Sequence, residues 1–170
     1  GRRAVVSLAA MNGEYVGMPP STRKWSDAVE RLESDRWVDR ATVSQVRLVE
    51  TFGRFIANTD MDFANLAFFP RDDGRLDLAP VYDMLPMRWR PNVATGALDW
   101  LPFTPEPIDL QSAARPVAQA FWRRVAAHGG RAGAQAGPGR GGRRVANRRG
   151  ARRADRSRLV VRRLVPAGLA

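Results

Sequence analysis

Three oxygen-bearing side chains in the middle of this chain have types and spacing suited to work on a divalent ion and a hydroxyl group. Asp60 and Asn65 lie five residues apart in Asn58-Thr59-Asp60-Met61-Asp62-Phe63-Ala64-Asn65. Asp83 comes later, in Leu78-Ala79-Pro80-Val81-Tyr82-Asp83-Met84-Leu85-Pro86-Met87. A carboxylate can accept a hydroxyl proton and orient the oxygen that attacks. An asparagine adds a neutral carbonyl oxygen to a metal site without crowding its carboxylates. Hard oxygen donors, completed by waters and substrate phosphates, are what Mg²⁺ prefers. The plain alternative for Asp-x-x-x-x-Asn is an Asx-turn or a cap after a helix, and the pattern alone recurs by chance.

The flanking sequence supplies elements that would hold these residues. Residues 26–32 read as a helix, with Trp25, Val29 and Leu32 on one face and Ser21 or Ser26 as cap. A longer helix fits residues 40–57. There Val43, Val46, Val49, Phe52 and Ile56 recur every three or four positions, and Arg47, Glu50 and Arg54 turn outward. Residues 58–65 are a loop, 66–69 a strand, 70–75 a turn and 76–79 the returning strand. Asp73-Gly74 supplies the left-handed position of that turn. Asp60 and Asn65 thus precede a hairpin, and Asp83 follows it. Prolines 86, 91, 102, 105 and 107 make residues 86–108 an irregular connection. Asp109 caps a final helix whose apolar side is Leu110, Ala113, Val117, Phe121 and Trp122. Pro116 sets its start or a kink.

Longer strings sharpen the reading. Phe52-Gly53-Arg54-Phe55-Ile56-Ala57-Asn58-Thr59-Asp60, Asn65-Leu66, and the segment from Leu78 to Met87 resemble the HipA-like serine/threonine kinase family. That family shows Asn-x-Asp-x-His-x-x-Asn in its catalytic loop and a Tyr-Asp-Met-type segment after a hairpin. The resemblance covers residues 1–128 and is strongest over 50–90. It implies a mainly helical fold with a small β-hairpin (α+β), in the manner of a protein-kinase C-lobe. It also implies phosphoryl transfer from Mg²⁺-bound ATP to a Ser or Thr of a protein substrate. By the same resemblance Asp60 is the catalytic base, while Asn65 and Asp83 hold the metal and with it the nucleotide. Asn58 shapes the loop through side-chain-to-backbone bonds. Many members of the family are toxins that bind a small DNA-binding antitoxin.

Two departures from the family pattern stand out. Asp62 occupies the position where the family has His, and places a second carboxylate beside Asp60 that could itself bind metal. No Gly-rich phosphate loop precedes residue 58, and the single lysine, Lys24, sits before a helix as a solvated charge. The chain is therefore expected to be the catalytic-loop portion without the lobe that grips ATP from above, and inactive by itself. A non-catalytic remnant, or a pseudokinase-like binding module, is the competing reading.

Composition sets further bounds. There are no cysteines and one histidine, His128, so disulfide frameworks, thiolate sites and His-cluster zinc sites are excluded. No apolar run is long enough to span a membrane, and the apolar stretch after Gly1-Arg2-Arg3 is too brief for a signal peptide. A cytoplasmic protein is expected. The five tryptophans read as core anchors, Met84 and Met87 as packing residues, and Asp72, Asp73 and Asp77 as a solvated turn. The net charge of +11 is confined to the end of the chain. Residues 1–128 hold 16 basic and 16 acidic residues, and residues 129–170 hold 12 Arg and only Asp155. This Arg/Gly-rich tail lacks aromatic residues and cannot bury enough apolar surface to offset its chain entropy. One reading makes it an arm for nucleic acid. The other is a slipped reading frame: 27 Arg against one Lys fits GC-rich coding DNA, and the sudden loss of acids and aromatics favours it.

Overall fold

A computed structural model of the chain describes residues 3–19, 24–98, 102–106 and 112–134, with side chains as far as His128. Ser21, Trp100, Asp109, Leu110 and the Arg-rich residues from 135 onward lie outside the described residues, and with them most of the expected tail.

The elements run β1 (Val6–Ser7), α1 (Leu8–Met11), α2 (Trp25–Ser34), α3 (Arg40–Phe55), β2 (Ala67–Pro70), β3 (Leu76–Leu78) and α4 (Ala114–Ala134). Short 3₁₀ turns cover Phe63–Asn65 and Met87–Trp89. The architecture is a mixture of helices and one small antiparallel sheet, ordered β1-β2-β3.

The expected hairpin is there, with Phe68 opposite Leu78 and Phe69 opposite Asp77. Gly74, at φ 81°, takes the left-handed position of its turn. The sheet nevertheless has three strands rather than two. Val6 pairs with Phe68 and Ser7 with Ala67, so the segment near the amino terminus covers the hairpin's outer edge. Two paired residues carry no alternation pattern, so this strand has no period for sequence reading to detect.

Helix α3 begins at Asp39, whose carboxylate accepts the Thr42 N–H at 2.7 Å. It was expected to reach Ala57 but stops at Phe55 in a Schellman motif. Ala57 takes φ 55°, Asn58 donates its N–H to the Gly53 carbonyl at 2.9 Å, and Ala57 donates to Arg54 at 3.0 Å. Alanine instead of glycine at the left-handed position hid this stop from the sequence.

Two expectations about α2 and α3 are corrected. Glu50 does not turn outward: it is 5% exposed. Its carboxylate accepts the backbone N–H groups of Trp25 at 3.0 Å and Ser26 at 3.3 Å. Ser26 is accordingly no cap but lies inside α2, whose N-cap, Lys24, makes no side-chain capping bond. The cap comes from another helix, satisfying donors that α2 itself leaves open.

Two apolar clusters form the core. Leu8, Trp25, Val29, Leu32, Val43, Val46, Phe63 and Phe68 pack between α1, α2, α3 and the sheet. Phe55, Ile56, Trp89, Ala114, Ala118 and Trp122 pack where α3 ends against α4. The apolar side of α4 is thus shifted from expectation. Ala114, Ala118 and Trp122 face inward at four-residue spacing, while Ala113 is exposed and Val117 is 53% exposed. Trp122 sets this phase: its indole N–H donates to the Phe55 carbonyl at 3.2 Å, one of the carbonyls freed at the end of α3. The helix continues past His128 to Ala134.

Candidate active site

The end of α3 delivers the chain into residues 58–65, and hydrogen bonds from four directions fix that loop. Asn58 is 5% exposed. Its Oδ1 accepts the Asp60 N–H at 3.0 Å, and its Nδ2 donates to the Asp83 carbonyl at 3.3 Å. One buried amide thereby joins the backbone at Asp60 to the backbone at Asp83, on the far side of the hairpin.

Asn65 closes the loop from its other end. Its Nδ2 donates to the Asp60 carbonyl at 2.8 Å. With the nitrogen end of the amide so engaged, Oδ1 is directed elsewhere. Asp62 accepts the Ala64 N–H at 2.8 Å and caps the 3₁₀ turn that carries Asn65. The Trp25 indole donates to the Asp62 carbonyl at 3.0 Å from the first turn of α2. Tyr82, the neighbour of Asp83, donates its hydroxyl to the Ala64 carbonyl at 2.5 Å. The Asp83 segment and the loop are thus tied twice, through Asn58 and through Tyr82.

Asp83 holds φ 55°, a left-handed value for a residue with a side chain. Such a conformation costs on the order of 1–3 kcal/mol and persists only when its surroundings hold it. Here its carbonyl accepts from both Asn58 Nδ2 and, at 3.1 Å, the Leu85 N–H. Asp60, Asp62 and Asp83 are exposed, and Asn65 is half-buried.

The contact between α3 and this loop is close. Gly53 lies against Met61 and Met84, and a Cβ there would collide with Met61 Sδ and stand 3.2 Å from Met84 Cε. A cavity of about 250 Å³ opens beside the loop, walled by Arg54, Asn58, Thr59, Arg88, Phe103 and Glu106 among others.

Among the described residues, no three His, Cys, Asp or Glu side chains gather to hold a metal ion by themselves. The candidate oxygen donors, the Asp60 and Asp83 carboxylates and the Asn65 amide oxygen, sit on segments that Asn58 and Tyr82 tie together. Exposed hard oxygens, few in number, suit an ion such as Mg²⁺ that keeps waters and takes phosphate oxygens as its remaining ligands.

Several residues of the site were not legible in the sequence. Trp25 read as a core anchor, which it is at 1% exposure, but its bond to Asp62 has no sequence signature. The role of Gly53 depends on which side chains meet it. Among the described residues no helix is long and apolar enough to cross a membrane.

No family model matches the chain, and no solved structure matches it significantly. A curated relative does match. Toxin YjjJ of Escherichia coli (strain K12) is 37% identical over 130 residues, which cover 74% of this chain. The chain spans 28% of that relative's length.

Proposed function

We propose that this chain carries the catalytic-loop portion of a HipA-like toxin kinase, acting in phosphoryl transfer from Mg²⁺-bound ATP to a Ser or Thr of a protein. The observation that carries this reading is the Asn58 side chain, which bonds the Asp60 N–H and the Asp83 carbonyl together. It brings the backbones of two candidate acids to one amide. Similarity to a protein named as a toxin supports the toxin part of the reading. By that analogy a small DNA-binding antitoxin is the expected partner.

In this reading Asp83 and Asn65 would hold Mg²⁺, which when bound would offset the charge of the ATP phosphates. Asp60 accepts the hydrogen bond of the substrate hydroxyl and then its proton. Asn58 and Asn65 hold the Asp60 backbone from both sides, so its carboxylate need not search for its direction. Most of the rate comes from positioning, as is general for this chemistry. Asp62, in the position of the family's His, has a structural use as the cap of the 3₁₀ turn.

Calorimetric titration of the chain with Mg·ATP tests the reading. Weak binding is expected, retained in Asp60→Asn and lost in Asp83→Ala. Absence of heat at millimolar nucleotide identifies the chain as a non-catalytic remnant and overturns the proposal. In a longer polypeptide that contains this segment, Asp60→Asn should lower transfer to Ser or Thr by about 10²–10⁴-fold, the usual contribution of a positioned base.

A further inference from the structure

We propose that Tyr82 is a positioning residue for the candidate metal site. Its hydroxyl holds the peptide plane that leads into Asn65, and so sets Asn65 against Asp83. The inference rests on the phosphoryl-transfer reading for the use of that site, and adds to it a residue that acts through others.

The segment that carries Asp83 has little structure of its own. It follows β3 without helix or strand, and Pro80 and Pro86 flank it without N–H donors. Asp83 keeps its left-handed φ of 55° there, which outside contacts must hold. Among the described residues, two side chains hydrogen-bond this segment to residues 58–65. The Asn58 amide meets the Asp83 carbonyl at 3.3 Å and Met84 Sδ at 3.8 Å. Asn58 lies at the start of the loop, where it also holds the Asp60 N–H. Tyr82 reaches the other end, where its hydroxyl donates to the Ala64 carbonyl at 2.5 Å.

The Ala64 carbonyl shares one planar peptide unit with the Asn65 N–H. That N–H donates to the Asp62 carbonyl at 3.0 Å, and the C=O accepts from Tyr82. The plane is held at both ends, which fixes where the Asn65 backbone lies. The Asn65 Nδ2 then donates to the Asp60 carbonyl at 2.8 Å, which turns the amide. Tyr82 directly precedes Asp83, so one rigid ring spans from the backbone of one oxygen donor to the backbone beside the other. A tyrosine has only two side-chain torsions and loses little freedom as such a strut. Its oxygen stands at the short end of the O–H···O range. Tyr82 is 46% exposed, so core packing does not account for its place. The two ties divide the work. Asn58 sets the candidate base against Asp83, and Tyr82 sets the two candidate metal donors against each other.

The test compares the 170-residue chain with Tyr82→Phe, which deletes only the hydroxyl. Ser34→Ala is the control, because it too deletes an exposed hydroxyl that donates to a backbone carbonyl, that of Glu30 at 3.0 Å. The two variants should have similar urea midpoints. Calorimetric titration with Mg·ATP should show about tenfold weaker binding in Tyr82→Phe, the lower end of what loss of an outer partner costs a metal site. Binding should be unchanged in Ser34→Ala. Equal binding by Tyr82→Phe and the unaltered chain, or an equal loss in both variants, would overturn the proposal. NMR without metal reads the tie by itself. In Tyr82→Phe the Asn65 backbone amide should exchange faster and its side-chain amide signals should shift, while the Asp60 amide, held by Asn58, exchanges as before. Unchanged Asn65 signals would also overturn the proposal. If the unaltered chain takes no Mg·ATP yet the Asn65 signals respond, the phosphoryl-transfer reading fails and the tie between Asn65 and Asp83 stands.

Discussion

Trp25, in the first turn of α2, donates its indole N–H at 3.0 Å to the carbonyl of Asp62, 37 residues further along in the candidate catalytic loop. The backbone N–H of the same tryptophan is held by Glu50 of α3. The loop is therefore supported from behind by a helix whose own start is fixed by a buried carboxylate. This arrangement makes loop geometry depend on residues that carry no chemistry themselves.

Glu50→Ala removes an acceptor from two backbone donors, at Trp25 and Ser26. A hydrogen bond to a charged group is worth about 1.5–3 kcal/mol, and loss of a helix cap costs a similar amount. Urea denaturation is expected to show a loss of about 2–3 kcal/mol. Glu50→Gln, which keeps an acceptor oxygen, should lose about half as much. Equal stability of the two variants would contradict the capping role.

Asn58→Ala leaves the Asp60 N–H and the Asp83 carbonyl without their shared partner. A destabilisation of about 2 kcal/mol is expected from two hydrogen bonds at this site. Hydrogen exchange of the Asp60 amide should accelerate more than that of amides in α2. An unchanged exchange rate would show that Asn58 does not hold the loop.

Gly53→Ala places a methyl group where Met61 Sδ now sits. The obstacle is a flexible side chain rather than backbone, so the cost should be modest, about 1 kcal/mol within the usual 1–3 kcal/mol of overpacking. Combining it with Met61→Ala should give a double variant more stable than additivity predicts, since the two changes share one contact. Strict additivity in thermal or urea melts would count against the close approach drawn here.

Asp39 caps the start of α3, and its carboxyl is more acidic than usual. Its N-cap hydrogen bonds from Thr42, the backbone N–H first, lower its pKa from the ordinary value. A carboxyl depressed in the folded state stabilises fully above the unfolded value, about 3.9, and that contribution is lost as pH falls through the folded value. Asp39→Asn should keep most of the cap at neutral pH and weaken the fall in stability below about pH 4. Asp39→Ala should cost about 1 kcal/mol at pH 7. An acid limb unchanged by either substitution would exclude this contribution.

The sequence alone determined what local rules govern. The 3.6-residue period of Val43, Val46 and Val49 marked α3, and the Asp73-Gly74 pair marked the turn between β2 and β3. The residue types at 58, 60, 65 and 83 were sufficient to nominate a site, because spacing and donor chemistry are carried by the chain itself. Tertiary structure decided whatever depends on partners distant in sequence. Glu50 looks like any exposed helical acid until α2 arrives to place two unsatisfied N–H groups against it. The inward face of α4 depends on Trp122 finding the freed carbonyl of Phe55. A two-residue strand becomes visible only when it pairs with Ala67 and Phe68. A hydrogen bond requires a partner at about 3 Å, and for these groups only the packed chain supplies one.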